Sequence, residues 1–183
     1  DLDFTIKDYE LGLSYYLNNI SPENSIKELN DFIFGRCILF RYHVKNNQIE
    51  KIKLIGNQLY KKYRLSDKQL NKLQIYPRIR YLAYQLFYYQ FFNDTINFQN
   101  HAQFLINYCN INVEKWDNLE QRIVFSCVAE TFIILDSPVN YAESLKNVFS
   151  KLIQIYTLNK SEASLHELFK YTQVSSLKFV NYQ

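Results

Sequence analysis

Glycine and proline are scarce in this chain of 183 residues, which contains only 3 of each. Sheet proteins need many tight turns, and those turns draw on glycine and proline. The scarcity therefore favours long helices over a sandwich or a barrel. Hydrophobic residues make up 48% of the chain, which is ample for a core. We predict an all-α fold in which residues 1–183 form a single helical domain.

Motifs that would identify an enzyme are also missing. Gly12, Gly35 and Gly56 stand alone, so the chain has no glycine-rich phosphate loop, and it has no G-x-S-x-G nucleophile motif. The histidines lie far apart in sequence and lack metal-ligand spacing. They are His43, His101 and His166. We predict no enzyme activity, no metal and no cofactor, with a Cys–His pair formed by the fold as the alternative.

The chain carries little net charge and few cysteines. A net charge of +3 is too small to indicate nucleic-acid binding by this segment. Cys37, Cys109 and Cys127 lie among apolar residues, which predicts buried free thiols in a reducing cytoplasm. The aromatic run over residues 81–92 is too short and too polar to span a membrane. Because the chain lacks methionine, we expect an upstream portion of the protein that this sequence does not include.

Apolar spacing and capping residues predict eight or nine antiparallel helices joined by short polar segments. The residue before Pro77 is pushed out of the helical region, so Pro77 should separate two helices. The predicted helices are Ile6–Asn18, one from Ser21-Pro22-Glu23 to about Asn46, Gln48–Tyr63, one capped by Ser66-Asp67 and ending near Tyr76, Arg78–Asn93, Phe98–Asn110, the helix that contains Trp116, Tyr141–Tyr156, and one from Ser161 to about Tyr171. Without a visible repeat period, the natural architecture is a degenerate TPR-like superhelix of stacked antiparallel hairpins.

The segment over residues 110–135 contains the only tryptophan, Trp116. Its apolar residues cover well over half of a helix circumference, which predicts a helix packed on two sides. Glu120 follows Trp116 by four residues and should therefore lie on the apolar side. We expect both residues to act as scaffold, with Glu120 pairing with an arginine or with the end of a neighbouring helix.

Polar side chains embedded in aromatic helices are the candidate ligand contacts. A buried guanidinium needs a partner such as a peptide carboxylate, and amides suit an extended peptide backbone. Tyrosine adds apolar area with a polar tip. The candidate peptide-binding residues are Arg36, Arg41, Arg78, Arg80, Tyr84, Tyr88 and Asn107. In the alternative, Arg36 pairs internally with Glu28, Glu50 or Glu120, and the tyrosines are core residues.

Three segments resemble the C-terminal domain of the Rgg/GadR/MutR family of transcriptional regulators. The first is V-E-K-W-D-N-L-E-Q-R-I-V-F-S-C at residues 113–127, in which Trp116 and Glu120 match the family's motif. The second is N-N-Q-I-E-K-I-K-L at residues 46–54. The third is S-P-V-N-Y-A-E-S-L-K-N-V-F at residues 137–149.

The resemblance implies a cytoplasmic regulator of low-GC Gram-positive bacteria. Its helical domain is expected to form a homodimer and to bind a short hydrophobic signalling peptide in a concave groove. DNA would be bound only through a helix-turn-helix domain that lies outside this sequence. The alternative is a helical protein–protein interaction scaffold unrelated to peptide signalling. From the aromatic excess we also expect a two-fold interface built from helices at one end of the array.

Overall fold

The computed structural model describes residues 11–135 together with residues 150, 153, 154 and 157. Every regular element in that part of the chain is helical, which confirms the all-α prediction. The chain divides into two compact units, the first ending at Asp94 and the second beginning at Thr95. The stacking of hairpins into a superhelix stays a prediction. The two helices predicted after residue 140 fall mainly outside the described residues.

The first unit is built around its longest described helix, which runs from Ile26 to Lys45. The elements are α1 (residues 11–18), α2 (Ile26–Lys45), α3 (Ile49–Asn57), a π-helical turn (Gln58–Lys62), α4 (Asp67–Leu70) and α5 (Ile75–Phe91). Helix α2 packs against both α3 and α5. Its buried residues recur every three or four positions, so a continuous apolar face meets its neighbours.

The second unit contains helix α6 (Thr95–Asn112), a 3-10 turn (Val113–Lys115) and helix α7 (Asn118–Leu135). The Gln121 side chain joins the start of α7 to the preceding turn, because its Nε2 donates to Val113 O at 2.9 Å and to Trp116 O at 3.0 Å. Cys37, Cys109 and Cys127 are buried free thiols, as predicted.

The start of α2 differs from the prediction. The chain turns through residues 21–24, and Ser25 is the N-cap, with its Oγ accepting a hydrogen bond from Glu28 N at 3.1 Å. A helix begun at Ser21 would place Asn24 and Ser25 in its first turns, although both prefer caps and turns. The Glu28 carboxylate instead accepts a hydrogen bond from Ser21 N at 3.1 Å and so holds the turn against the helix.

Pro77 lies in the first turn of α5, which begins at Ile75, so the predicted break between two helices at this position is wrong. The first N–H groups of a helix have no intrahelical acceptor, and a proline there removes no hydrogen bond. The preceding helix has its predicted cap, with Ser66 and Gln69 forming a capping box. It ends at Leu70, earlier than predicted.

Trp116 lies before α7 as a half-buried residue with an extended backbone. The helix is capped by Asp117, whose Oδ1 accepts from Glu120 N at 2.8 Å, while Glu120 Oε2 accepts from Asp117 N at 3.2 Å. This reciprocal pair is a capping box. The expected pairing of Glu120 with an arginine or with another helix is therefore wrong, because the acid satisfies the start of its own helix.

Replacing Asp117 by alanine should lower the free energy of unfolding by about 1 kcal/mol, since Glu120 N then loses its acceptor. Urea denaturation followed by circular dichroism measures the change. The matched variant Asp117→Asn keeps an accepting oxygen at the same position and should lose less. Equal losses in the two variants would contradict a capping role.

Tyr60 and Tyr81 of the first unit are buried, and both of their hydroxyl groups are hydrogen-bonded. Tyr81 Oη donates to Leu59 O at 3.4 Å and accepts from Leu65 N at 3.2 Å. Tyr60 Oη donates to Tyr81 O at 3.0 Å. Burial raises the pKa of Tyr81 to about 12. Tyrosine here contributes apolar area while its polar end remains hydrogen-bonded.

Helix α3 approaches the aromatic core so closely at Gly56 that a side chain does not fit. A Cβ atom there would lie 2.8 Å from Tyr88 Cδ2 and 3.2 Å from Phe40 Cε2. Aromatic rings in a packed core cannot withdraw as the end of a flexible chain can. Gly56 therefore permits the contact between α3 and these rings.

Candidate functional site

An open groove of about 340 Å³ lies on the first unit, between α2 and the start of α5. It is lined by Asn30, Asp31, Phe34, Gln74, Tyr76 and Pro77. We refer to these six residues as the α2–α5 groove. Its volume is at the lower end of the range for ligand sites, which suits a few side chains rather than a large ligand.

Asn30 joins the two walls of the groove. Its Nδ2 donates to Ile26 O at 2.7 Å, one turn earlier in α2, and its Oδ1 accepts from Gln74 N at 2.8 Å. Gln74 is the N-cap residue of α5, and its side chain makes no capping hydrogen bond. The Asn30 side chain thus binds the backbone of the N-cap residue and fixes the start of α5 beside α2.

One wall of the groove consists of two aromatic rings in edge-to-face contact, with a guanidinium packed on both. The rings of Phe34 and Tyr76 meet edge to face, with centroids 5.7 Å apart. The Arg80 guanidinium carbon lies 4.3 Å from the Tyr76 centroid and 5.0 Å from the Phe34 centroid. Cation–π contacts of this kind hold both rings in place. Tyr76 keeps 38% of its surface exposed, so a ligand can reach it.

Asp31 supplies a carboxylate at the groove. Its Oδ2 accepts a hydrogen bond from Tyr16 Oη at 3.2 Å. The negative charge of Asp31 raises the pKa of Tyr16 above its ordinary value, with smaller contributions from burial and from Glu28. Among the described residues, no lysine or arginine forms an ion pair with Asp31.

Arg36 and Arg78 have structural partners. Arg36 is buried in α2, donates from Nη2 to Asn18 Oδ1 at 3.0 Å and lies over the Phe32 ring. Within the described residues it pairs with no acid, which differs from the alternative partners considered above. Burial lowers its pKa. Arg78 donates hydrogen bonds to the carbonyl oxygens of Asn71 and Leu73, which lie in the turn after α4.

The remaining candidates from the sequence belong to α2, to α5 and to the second unit. Tyr84 is buried in α5, and Arg41 is half-buried in α2. Tyr88 is buried and donates from Oη to Asn57 Oδ1 at 3.3 Å. Asn107 belongs to the second unit, where it is exposed and accepts from Gln103 Nε2 at 3.1 Å. Two of the predicted contacts meet the lining of the α2–α5 groove: the Arg80 guanidinium packs on Phe34 and Tyr76, and Arg78 N donates to Gln74 O at 3.1 Å.

Sequence reasoning missed the six residues that line the groove. The sequence places Asn30, Asp31 and Phe34 inside a long helix, and it places Gln74 to Tyr76 at the end of a short helix that Pro77 interrupts. Residues Gln74 to Pro77 do offer a signal in the sequence, because an amide, an aromatic residue and a proline stand together at a helix start. Asn30, Asp31 and Phe34 give no comparable signal, because their role depends on contact with residues more than forty positions away.

The part of the chain that the structure describes contains no group of three or more histidine, cysteine or acidic side chains able to hold a metal ion. No helix in that part is long and apolar enough to cross a membrane. Comparisons with family models, with curated proteins and with solved structures give no match to this chain.

Proposed function

We propose that this chain is a peptide-binding helical domain and that the α2–α5 groove holds the peptide. The observation that carries the proposal is the pairing of an accessible aromatic wall with a carboxylate that has no cationic partner among the described residues. Concave sites that combine apolar walls with a few polar groups are typical of ligand binding. No described cluster offers comparable support for catalysis or for a metal.

The chemistry of the groove defines the ligand. Apolar or aromatic side chains of a peptide would pack on Tyr76 and Phe34, and a positively charged group would meet Asp31. The exposed Gln74 side chain would offer both a donor and an acceptor to the peptide backbone. The Asn30 amide is already used on both sides, so it would shape the groove without contacting the ligand.

We further propose that peptide binding regulates transcription through a DNA-binding domain elsewhere in the same protein. This part rests on the resemblance of residues 113–127 to the Rgg/GadR/MutR regulators. A peptide bound between α2 and α5 would favour one arrangement of these helices over another, and only such a difference in affinity can shift a regulatory equilibrium.

Calorimetric titration with synthetic hexapeptides of leucine, phenylalanine and proline, each carrying one lysine, tests the site. We expect Tyr76→Ala to weaken binding about tenfold or more, because an aromatic anchor is lost. Tyr15→Ala is the matched control, since Tyr15 is 74% exposed and does not line the groove. Absence of binding by every peptide would contradict the proposed function, and equal affinity in Tyr76→Ala would place the site elsewhere.

A further inference from the structure

The positive charge of this chain is concentrated in one short stretch, residues 61–72, which we call the basic segment. The segment contains five cations and a single acid, Asp67, so its net charge is +4. The cations are Lys61, Lys62, Arg64, Lys68 and Lys72. Because the whole chain has a net charge of +3, all the other residues together carry a net charge of −1. The small net charge of the chain therefore conceals a strongly basic surface on the first unit.

All five cations of the basic segment are exposed. Lys61 and Lys62 end the π-helical turn, and Lys68 lies in the last turn of α4. Cations are stabilised near the C-terminal end of a helix, which accounts for these three. Arg64 and Lys72 lie outside the helices, so the helix ends do not account for the whole segment.

The backbone of the basic segment is fixed to the core of the first unit. Leu65, within the segment, and Leu73, directly after it, are buried. Leu65 N donates a hydrogen bond to Tyr81 Oη at 3.2 Å, and Ser66 and Gln69 form the capping box of α4. The cations are therefore presented from an ordered backbone, which lowers the entropy lost when a partner binds.

Two of the cations lie over aromatic rings. Lys61 Nζ is 5.6 Å from the centroid of the Phe92 ring, and Lys62 Nζ is 5.0 Å from the centroid of the Tyr63 ring. Each of these rings also packs against another ring of the first unit. The rings orient the two ammonium groups. Since both rings already have contacts on more than one side, neither offers an open platform on which an unpaired base could stack.

The surface of the basic segment is polar, which selects the kind of partner. Its apolar side chains, Tyr63, Leu65 and Leu70, are buried or half-buried. The segment therefore presents no apolar side chain for insertion into a lipid bilayer. It also lacks the apolar centre of a protein–protein interface, where lysine is depleted. Contacts with the phosphates of a nucleic acid, by contrast, need positive charge rather than apolar area.

We propose that the basic segment binds the phosphate backbone of a nucleic-acid duplex, in a contact that does not depend on base sequence. A duplex fits better than a single strand, because sequence-independent binding of single strands relies on open aromatic platforms. The contact comes from the helical domain itself, in addition to any DNA-binding domain elsewhere in the protein. It does not rest on peptide binding by the α2–α5 groove.

Fluorescence anisotropy of a labelled DNA duplex of about 20 base pairs, titrated with the full chain in about 20 to 200 mM sodium chloride, tests the proposal. We expect the logarithm of the affinity to fall with the logarithm of the salt concentration with a slope of about −4, since each neutralised phosphate contributes about −0.9. The double variant Lys68→Gln, Lys72→Gln should make the slope shallower by about 2 and weaken binding at low salt about tenfold or more.

The matched control removes the same charge outside the basic segment. Lys27 and Lys115 are exposed, and the double variant Lys27→Gln, Lys115→Gln should leave the slope unchanged. Circular dichroism confirms that each variant is folded. If the Lys68, Lys72 variant is not folded, the double variant Lys61→Gln, Lys62→Gln decides the matter, with the same expected change in slope.

Absence of duplex binding at the lowest salt concentration overturns the proposal, and so does an equal loss of affinity in the control variant. Tighter binding to a single strand of the same length would overturn the choice of a duplex. Equally tight binding to vesicles of phosphatidylcholine and phosphatidylserine in equal parts, or to polyglutamate, would overturn the choice of a nucleic acid. The groove variant Tyr76→Ala should bind the duplex like the wild type, which separates failure of this contact from failure of peptide binding.

Discussion

The Phe40→Ala variant is expected to lose about 3–5 kcal/mol of unfolding free energy, the largest effect of a single substitution that we predict. Phe40 is fully buried in α2, and its ring contacts Tyr60 at a centroid distance of 6.0 Å and Phe87 at 6.4 Å. Truncation removes apolar contacts and leaves a cavity that rigid neighbouring rings fill poorly. Because total stabilities are of the order of 5–15 kcal/mol, the variant should be close to unfolding.

Urea denaturation of wild type and variant measures the loss, provided that the dependence on urea concentration is unchanged. Phe92→Ala is the matched control, because Phe92 makes the same kind of ring contact, with Tyr88 at 4.6 Å, but is 38% exposed. It should cost much less than Phe40→Ala. Comparable losses of unfolding free energy at the two positions would mean that the aromatic core around α2 contributes less to stability than we predict.

Stability is expected to fall steeply as the pH rises from 9 towards 12. Burial, with a smaller contribution from Cys127, raises the pKa of Cys109 from 9.0 to about 12. Burial also raises the pKa of Tyr81 from 10.0 to about 12. In both groups the folded protein favours the neutral form. Their stabilising contribution is therefore complete below the unfolded pKa and is lost as the pH rises through the folded value.

The two residues differ in how much they contribute to this alkaline loss. Once both groups ionise, the pKa differences correspond to a loss on the order of 4 kcal/mol at Cys109 and 3 kcal/mol at Tyr81. Urea denaturation at a series of pH values measures the slope. Cys109→Ala removes the thiol and should flatten the slope above about pH 9 relative to wild type. An unchanged slope in this variant would show that Cys109 does not ionise on unfolding in that range.

Local signals predicted most helix ends in the first unit correctly. The Asn46-Asn47 pair ends α2, with Asn47 in the left-handed region at φ 51°, and Ser66 caps α4. Such signals act within one turn of backbone, so the neighbouring residues in the sequence are enough to predict them. They mislead where two signals of the same kind stand close together, as with Ser21 and Ser25, or where one residue has two roles, as with Pro77.

Glu120 shows how an acid on a predicted apolar face can be misread. Its position relative to Trp116 placed it on that face only if the helix already included Trp116. The helix begins later, and the same acid then falls at the third position after Asp117, where it completes a capping box. Placing the helix start too early therefore led to the prediction that Glu120 is a buried pairing partner, whereas Glu120 caps its own helix.

The amino-acid sequence by itself determined the all-helical class, the buried free cysteines and most of the helix joints, because these depend on composition and on contacts within a few residues. The tertiary structure decided the candidate site. Asn30 Oδ1 meets Gln74 N across a separation of 44 residues, and Arg80 covers Phe34 from another helix. Side chains so far apart in sequence become neighbours only when packing of α2 on α5 sets the register between the helices. That register follows from the fit of many core side chains at once.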